Sequence, residues 1–225
     1  MRAHDPSVPK ALLEVAGKPF AHWQLSWLSG QGVEVIYSIG HKGEMIRDYV
    51  GDGSQWGLSV RYVEEPEGLL GTGGAVRLAV DQGTLGDRFF VLYGDAYLRI
   101  DFSQVDRVFR QQGLGALMTV FENQGQWDQS NVVFEDGRVL EYAKGCVDPP
   151  AGMRYIDYGL SEIDRDLVID RIPSGERSDL APFFTALSRE GRLGGYESGE
   201  RFFEVGSPAG LRDLEAFLAA QGDAG

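Results

Sequence analysis

The chain has 225 residues, 43% of them hydrophobic and 24% charged, with a formal net charge of -13. That length suits a single domain burying roughly 70% of its unfolded surface. The acidic balance excludes a phosphate-backbone binder without excluding small phosphorylated substrates. The single cysteine, Cys146, excludes an internal disulfide and a Cys-rich zinc site. His4, His22 and His41 show no metal-ligand spacing, and no apolar run approaches the ~20 residues needed to cross a bilayer. With no apolar segment of a signal peptide after Met1-Arg2, a cytoplasmic protein is expected, without nucleic-acid or membrane partners.

Residues 1–19 carry two prolines and a glycine around an apolar stretch and show no strand pattern. A helix is predicted over 20–29, with Phe20, Trp23, Leu25, Trp27 and Leu28 forming a broad apolar face stopped by Gly30 and Gly32. A strand over 33–39 follows, then a short helix over 43–50 with Met45, Ile46 and Tyr49 inward, and a strand over 58–63. After a loop at 64–68, Gly71-Thr72-Gly73-Gly74 leads into a helix from about 75 to 80. The continuous apolar run 89–93 suits a strand covered on both faces, as in a parallel sheet. Alternation of strands and helices through residue 120 predicts βαβ units and a mostly parallel sheet.

The pattern then loosens. A strand over 116–121 precedes a hairpin whose arms, 131–134 and 138–142, flank Glu135-Asp136-Gly137. A Pro-containing loop spans 145–152, and a strand spans 155–160. Helices are predicted over 161–169, with Ser161 and Asp164 as a capping box, and over 179–190. Short strands at 193–196 and 201–205 lead to a terminal helix over 209–220 opened by Pro208. No repeat or long linker divides the chain. The expected fold is one α/β domain, with a mixed, mostly parallel central sheet flanked by helices and a small antiparallel sub-structure in the second half.

Asp95 follows the apolar strand directly, behind Gly94, whose missing side chain leaves room for a ligand. Ligands of open α/β sheets bind beyond the carboxyl ends of strands, so Gly94-Asp95 is either a site corner or a turn containing Asp. Closely spaced glycines before a helix free backbone donors for an anion or a base edge, so Gly71-Thr72-Gly73-Gly74 is either a ligand contact or a tight turn. Glu204 interrupts the apolar run Phe202-Phe203-Glu204-Val205. A carboxylate there either coordinates a metal or points outward from an edge strand. Asp95 and Glu204 could share Mg²⁺ with substrate phosphates. Lys10 and Lys144 are point charges suited to phosphates, or solvent lysines. Asp157 either accepts sugar hydroxyls or is a satisfied structural carboxylate. Together these groups suit attack by a phosphate oxygen on the α-phosphorus of a nucleoside triphosphate. The attacking phosphate is already ionised, so positioning and electrostatics would carry the catalysis.

Seven blocks in order resemble the sugar-1-phosphate nucleotidyltransferases, especially the branch of heptose-1-phosphate guanylyltransferase. They are Val8-Pro9-Lys10-Ala11-Leu12-Leu13-Glu14-Val15-Ala16-Gly17-Lys18-Pro19-Phe20, Ile39-Gly40-His41-Lys42-Gly43-Glu44-Met45-Ile46 and Gly51-Asp52-Gly53-Ser54-Gln55-Trp56-Gly57-Leu58. The others are Gly71-Thr72-Gly73-Gly74-Ala75, Tyr93-Gly94-Asp95, Tyr155-Ile156-Asp157-Tyr158-Gly159-Leu160 and Phe203-Glu204-Val205-Gly206-Ser207-Pro208. The resemblance implies a Rossmann-like fold, with a nucleotide-binding half over 1–120 and a sugar-phosphate half over 121–225. It implies Mg²⁺ as cofactor and a nucleoside triphosphate and a sugar 1-phosphate as substrates.

By the same resemblance Lys10 meets the nucleotide phosphates, and Gly71, Thr72, Gly73 and Gly94 line the nucleotide. Asp95 is the first metal ligand, and Glu204 stands where the family usually has Asp as the second. Lys144 meets the sugar phosphate, and Asp157 and Gly159 meet the sugar. Ala143 replaces a common Glu, which removes a possible sugar contact. The family also begins with a central strand and a Gly-rich loop ending Gly-Thr-Arg, and Met1-Arg2 falls where that loop would finish. An in-frame upstream extension is expected to supply both. A genuine truncation would instead leave a catalytically impaired or non-catalytic sugar-nucleotide-binding protein of this fold. A nucleotide-sugar glycosyltransferase would be expected to carry Asp-x-Asp, which Gly94-Asp95-Ala96-Tyr97 does not supply.

Overall fold

A computed structural model describes residues 7–66, 68, 70–123, 126, 129–146, 150 and 152–222. Expectations for His4, for the chain start and for parts of the 64–68 and 145–152 loops lie outside the described residues. In chain order the elements are β1 (Glu14–Val15), β2 (Lys18–Pro19), α1 (Phe20–Leu28), β3 (Val35–Ile39), α2 (Gly43–Val50) and β4 (Val60–Glu64). Next come α3 (Gly71–Asp81), β5 (Arg88–Leu92), β6 (Ala96–Tyr97), α4 (Phe102–Gln112), β7 (Ala116–Glu122), β8 (Val132–Glu135) and β9 (Arg138–Tyr142). The chain closes with β10 (Tyr155–Asp164), α5 (Arg165–Arg171), α6 (Leu180–Arg189), β11 (Gly194–Glu197), β12 (Phe203–Glu204) and α7 (Pro208–Gly222). No helix among the described residues is long and apolar enough to cross a membrane.

The elements fall into two compact units that alternate along the chain. The first comprises Met1–Glu64, Tyr93–Arg99 and Phe202–Gly225, and the second Glu65–Leu92 and Ile100–Arg201.

In the first unit the stretch expected to lack strands holds a two-residue antiparallel ladder, Glu14 opposite Pro19 and Val15 opposite Lys18. The turn between them is left-handed at both Ala16 (φ 47°) and Gly17 (φ 78°), the backbone that tight hairpins need. Helix α1 buries Phe20, Ala21, Gln24, Leu25 and Leu28. Strands β3 and β4 pair in parallel from Val35–Val60 to Ile39–Glu64. Helix α2 lies so close that a Cβ on Gly43 would meet Ile39 Cβ at 2.8 Å. That contact makes Gly43 and Val50 the buried positions, and Met45, expected inward, is 39% exposed. A small core of Val15, Phe20, Phe203, Val205, Leu214 and Leu218 joins the amino-terminal hairpin to α7. Against it, β6 and β12 pair antiparallel, Tyr97 with Phe203 and Ala96 with Glu204.

The second unit is built on a six-stranded sheet ordered β5-β10-β7-β11-β9-β8. Only β7–β11 is parallel in it; the other ladders are antiparallel. The sheets are mixed, as expected, but parallel pairing is confined to β3–β4 and β7–β11. The cause is β10, which runs ten residues and pairs antiparallel with β5, β7 and β8. Ser161 does not cap a helix: it pairs with Val91 and Met118, and α5 begins only at Arg165. Long-range pairing has overridden a local capping signature. Strand β5, expected to be covered on both faces within a parallel sheet, is the half-buried end strand, antiparallel to β10. The predicted Asp-Gly hairpin is present, with φ positive at Asp136 (48°) and Gly137 (75°).

Candidate active site

In the first unit Lys10 opens a short 3-10 turn, in which Leu12 N–H donates to Pro9 O at 2.8 Å and Leu13 N–H to Lys10 O at 3.1 Å. Asp95 sits in the turn from Tyr93 to Ala96, closed by Ala96 N–H donating to Tyr93 O at 3.1 Å. Val205 N–H, just past β12, fixes the same turn by donating to Asp95 O at 2.9 Å. These supports bring together two residues 85 positions apart: Lys10 Nζ donates to Asp95 Oδ2 at 2.8 Å. The two side chains are 48% and 34% exposed. An ion pair so open to water contributes at most about 1 kcal/mol to stability, so folding alone does not account for its placement.

Glu204 is exposed on β12, opposite Ala96, hence one register step from Asp95. Gly94 is open, with nothing within 4 Å of a Cβ placed there. Two residues of this corner were missed in the sequence. Gly206 would place a Cβ 3.6 Å from both Asp95 Oδ2 and Lys10 Nζ, so any longer side chain there would crowd the pair. Its signal was a glycine two positions after Glu204 at a strand end. Gln24 is 3% exposed, and its Nε2 donates to Ala96 O at 2.8 Å and to Tyr93 O at 3.4 Å. Its signal was a polar residue on the buried face of α1, where an amide needs partners.

The glycine-rich stretch lies in the second unit and forms the first turn of α3 itself instead of a loop before it. Its amides are largely spoken for: Gly73 and Gly74 N–H donate to Ser178 O at 2.8 and 2.9 Å, and Thr72 N–H to Asp179 Oδ1 at 3.3 Å. Thr72 Oγ1 returns the favour, accepting Leu180 N–H at 2.9 Å at the start of α6. Gly71 is left-handed (φ 73°), and a Cβ there would meet Ser178 O at 2.6 Å. The same closeness recurs at Gly73 and Gly74, so these glycines let the 176–179 segment approach the helix start.

Asp157 lies at an irregularity where β10 shifts register against β7. Its Oδ2 accepts Tyr142 Oη–H at 3.1 Å and its Oδ1 accepts Gly159 N–H at 3.0 Å, with Gly159 at φ 99°. The carboxylate is therefore held in one orientation. Lys144 is exposed, two residues beyond the end of β9. Cys146 is half-buried and forms no disulfide. His22 is packed between Trp23 and Trp56, and burial, then Lys18, lowers its pKa. No group of three or more His, Cys, Asp or Glu among the described residues could hold a metal unaided.

The profile of the Nucleotidyl transferase family matches residues 6–130, more than half of the chain, and the chain belongs to that family. It is 29% identical over 224 residues to N-acetylmuramate alpha-1-phosphate uridylyltransferase of Neisseria meningitidis serogroup B, covering 98% of this chain and 94% of the relative. It is 33% identical over 208 residues to mannose-1-phosphate guanylyltransferase of Mycobacterium tuberculosis, covering 90% of this chain and 56% of that longer relative. The crystal structure of HddC from Yersinia pseudotuberculosis complexed with GMP-PN matches with a TM-score of 0.77 at 20% identity, over 97% of this chain and 93% of HddC. That likeness establishes the Rossmann-like nucleotidyltransferase fold.

Proposed function

We propose that the protein transfers a nucleoside monophosphate from a nucleoside triphosphate to a sugar 1-phosphate, releasing pyrophosphate and an activated sugar. The observation that carries this reading is the exposed Lys10–Asp95 pair beside Glu204, in a family whose relatives bear the names of sugar-phosphate nucleotidyltransferases. An oxygen of the sugar phosphate attacks the α-phosphorus. The bond from that phosphorus to the oxygen bridging to the β-phosphate breaks, and pyrophosphate leaves with the electron pair.

The donor set suits Mg²⁺. Asp95 and Glu204 are hard oxygen donors one register step apart, and a cation, the Lys10 ammonium, already sits on Asp95 Oδ2. Two carboxylates without a third protein ligand match an ion that completes its shell with water and substrate phosphates. Bound there, Mg²⁺ would supply charge neutralisation for the phosphoryl oxygens. Lys10 is the second cation for those oxygens, and Gly94 and Gly206 leave the space that a phosphate needs. In the second unit Gly71, Thr72 and Gly73 are assigned to the base. Lys144 is assigned to the sugar phosphate, and Asp157, oriented by Tyr142 and Gly159, to sugar hydroxyls. A cytoplasmic location suits a single cysteine, Cys146, that forms no disulfide.

The test is Mg²⁺-dependent pyrophosphate release across the nucleoside triphosphates and a panel of hexose, heptose and N-acetylmuramate 1-phosphates. One pairing is expected to react. Asp95→Asn should lower its kcat/KM by on the order of 100-fold or more, the usual scale for a lost electrostatic contact to the transition state. Silence across every pairing, or full activity in Asp95→Asn, overturns the reading.

A further inference from the structure

A buried amide usually satisfies whatever lies nearest; Gln24 is more selective. It is 3% exposed, on the face of α1 otherwise made of Phe20, Ala21, Leu25 and Leu28. Its one NH₂ group reaches two carbonyls, Ala96 O at 2.8 Å and Tyr93 O at 3.4 Å. Those are the first and last residues of the turn that carries Asp95, and Tyr93 O also accepts the turn-closing Ala96 N–H. Between them, Asp95 O is held by Val205 N–H. The turn is therefore tied at its centre by Val205, just past β12, and at both ends by a single side chain.

We infer that Gln24 is a positioning residue for Asp95, fixing the direction of the carboxylate toward Lys10 and toward the metal-bound phosphates. This rests on the proposed role of Asp95 and adds to it a residue that touches no substrate. The chemistry requires a group with two N–H donors on one nitrogen and no charge. Glutamate would oppose two carbonyl oxygens with a carboxylate, and methionine would fill the same volume with no donor. Without the amide, the turn keeps its internal hydrogen bond and its tie to Val205 but loses the clamp at both ends. Asp95 can then swing away from the geometry that binding uses. Groups that orient ligating carboxylates typically alter metal affinity by about 10–100-fold when removed.

The experiment measures Mn²⁺ binding by electron paramagnetic resonance, with and without a non-hydrolysable nucleoside triphosphate, in wild type, Gln24→Met, Leu28→Ala and Asp95→Asn. Leu28 is buried on the same helix, so its truncation reports what a general loosening of α1 does. The expectation is a loss of about tenfold or more in Mn²⁺ affinity for Gln24→Met. Leu28→Ala should stay within about twofold of wild type even though its melting temperature falls at least as far. Equal losses in Gln24→Met and Leu28→Ala, or no loss in Gln24→Met, overturn the positioning role while leaving Asp95 as a ligand. Unchanged Mn²⁺ binding in Asp95→Asn overturns the ligand assignment, and the positioning role with it.

Discussion

Two regions nominated by the same kind of signal, glycines beside polar residues at an element end, are used in opposite ways. In the first unit Lys10 and Asp95 face each other across an open surface, with Gly94 and Gly206 leaving space around them. In the second unit the Thr72, Gly73 and Gly74 amides bond Asp179 Oδ1 and Ser178 O, and the space beside the glycines is taken by the 176–179 segment. A motif of small residues signals close approach, and only the structure shows whether the approaching group is a ligand or the chain itself. The first corner leaves an ion pair open to solvent, whereas in the second the Thr72, Gly73 and Gly74 amides bond within the chain, so the proposed contact of that stretch with a base does not rest on those three donors.

The largest expected effect tests the closed region. Gly71→Ala places a Cβ 2.6 Å from Ser178 O on a backbone with φ 73°, so both sterics and conformation oppose it. A destabilisation of about 2–4 kcal/mol follows from a left-handed alanine plus overpacking. Thermal unfolding should shift down by roughly 5–10 °C. Equal stability in the variant would mean that the 176–179 segment yields easily, and the contrast with the open corner would weaken.

A second expectation concerns the charge the second unit buries. Glu162 lies inside β10 with a side chain 2% exposed. Burial first, and then the facing Asp106 carboxylate, pushes its pKa up to about 8, against the pull of Arg88 and Arg110. At neutral pH it is a protonated carboxyl bonded to Asp106. The folded pKa exceeds the ordinary glutamate value of 4.5, so folded chain retains a proton that unfolded chain has released between about 4.5 and 8. Stability therefore falls as pH rises through that window and levels off above it, by on the order of 2–3 kcal/mol between pH 5 and 8. Glu162→Gln keeps a donor to Asp106 at every pH and should lack this decline. Urea unfolding of both proteins across the window measures it, and parallel curves would break the assignment.

Local signals were read correctly in two places and missed in one. The α2 span and the Asp136-Gly137 hairpin depend on residues within a few positions of one another, as does the overlooked Ala16-Gly17 hairpin, whose arms are only two residues long. The other misreadings share a different cause. Ser161 and Asp164 look like a helix cap until β5 and β7, more than 40 residues earlier in the chain, claim that segment as strand. Met45 fits an apolar stripe until the Gly43–Ile39 contact sets which face turns inward. The glycine-rich stretch is a separate case: its local sequence gives no sign of the partner segment some 100 residues later, and its assignment to a base stands as proposed. At the open corner Lys10, Asp95 and Glu204 stood out in the sequence because chemistry limits which side chains suit phosphate and metal, and the structure brings Lys10 and Asp95 together. The supports, Gln24 and Gly206, were not, because their significance lies in contacts spanning more than 70 residues.

The smallest expected effect probes the open corner. Lys10 occupies Asp95 Oδ2 with its own ammonium, in the place a divalent cation would take. Lys10→Gln removes one positive charge beside that oxygen. Partly screened repulsion between a unit charge and a divalent ion a few ångströms apart is worth about 1 kcal/mol in a watery site. Mn²⁺ alone should therefore bind the variant about fivefold more tightly than wild type. With a nucleoside triphosphate present the sign should reverse, because the same lysine then serves the phosphates. Stability should change by less than about 1 kcal/mol, as for other exposed ion pairs. Titration of Mn²⁺ with and without the nucleotide separates the two cases. Movement in the same direction under both conditions would mean that Lys10 is a fixed partner of Asp95, and the corner no more open than the glycine cradle.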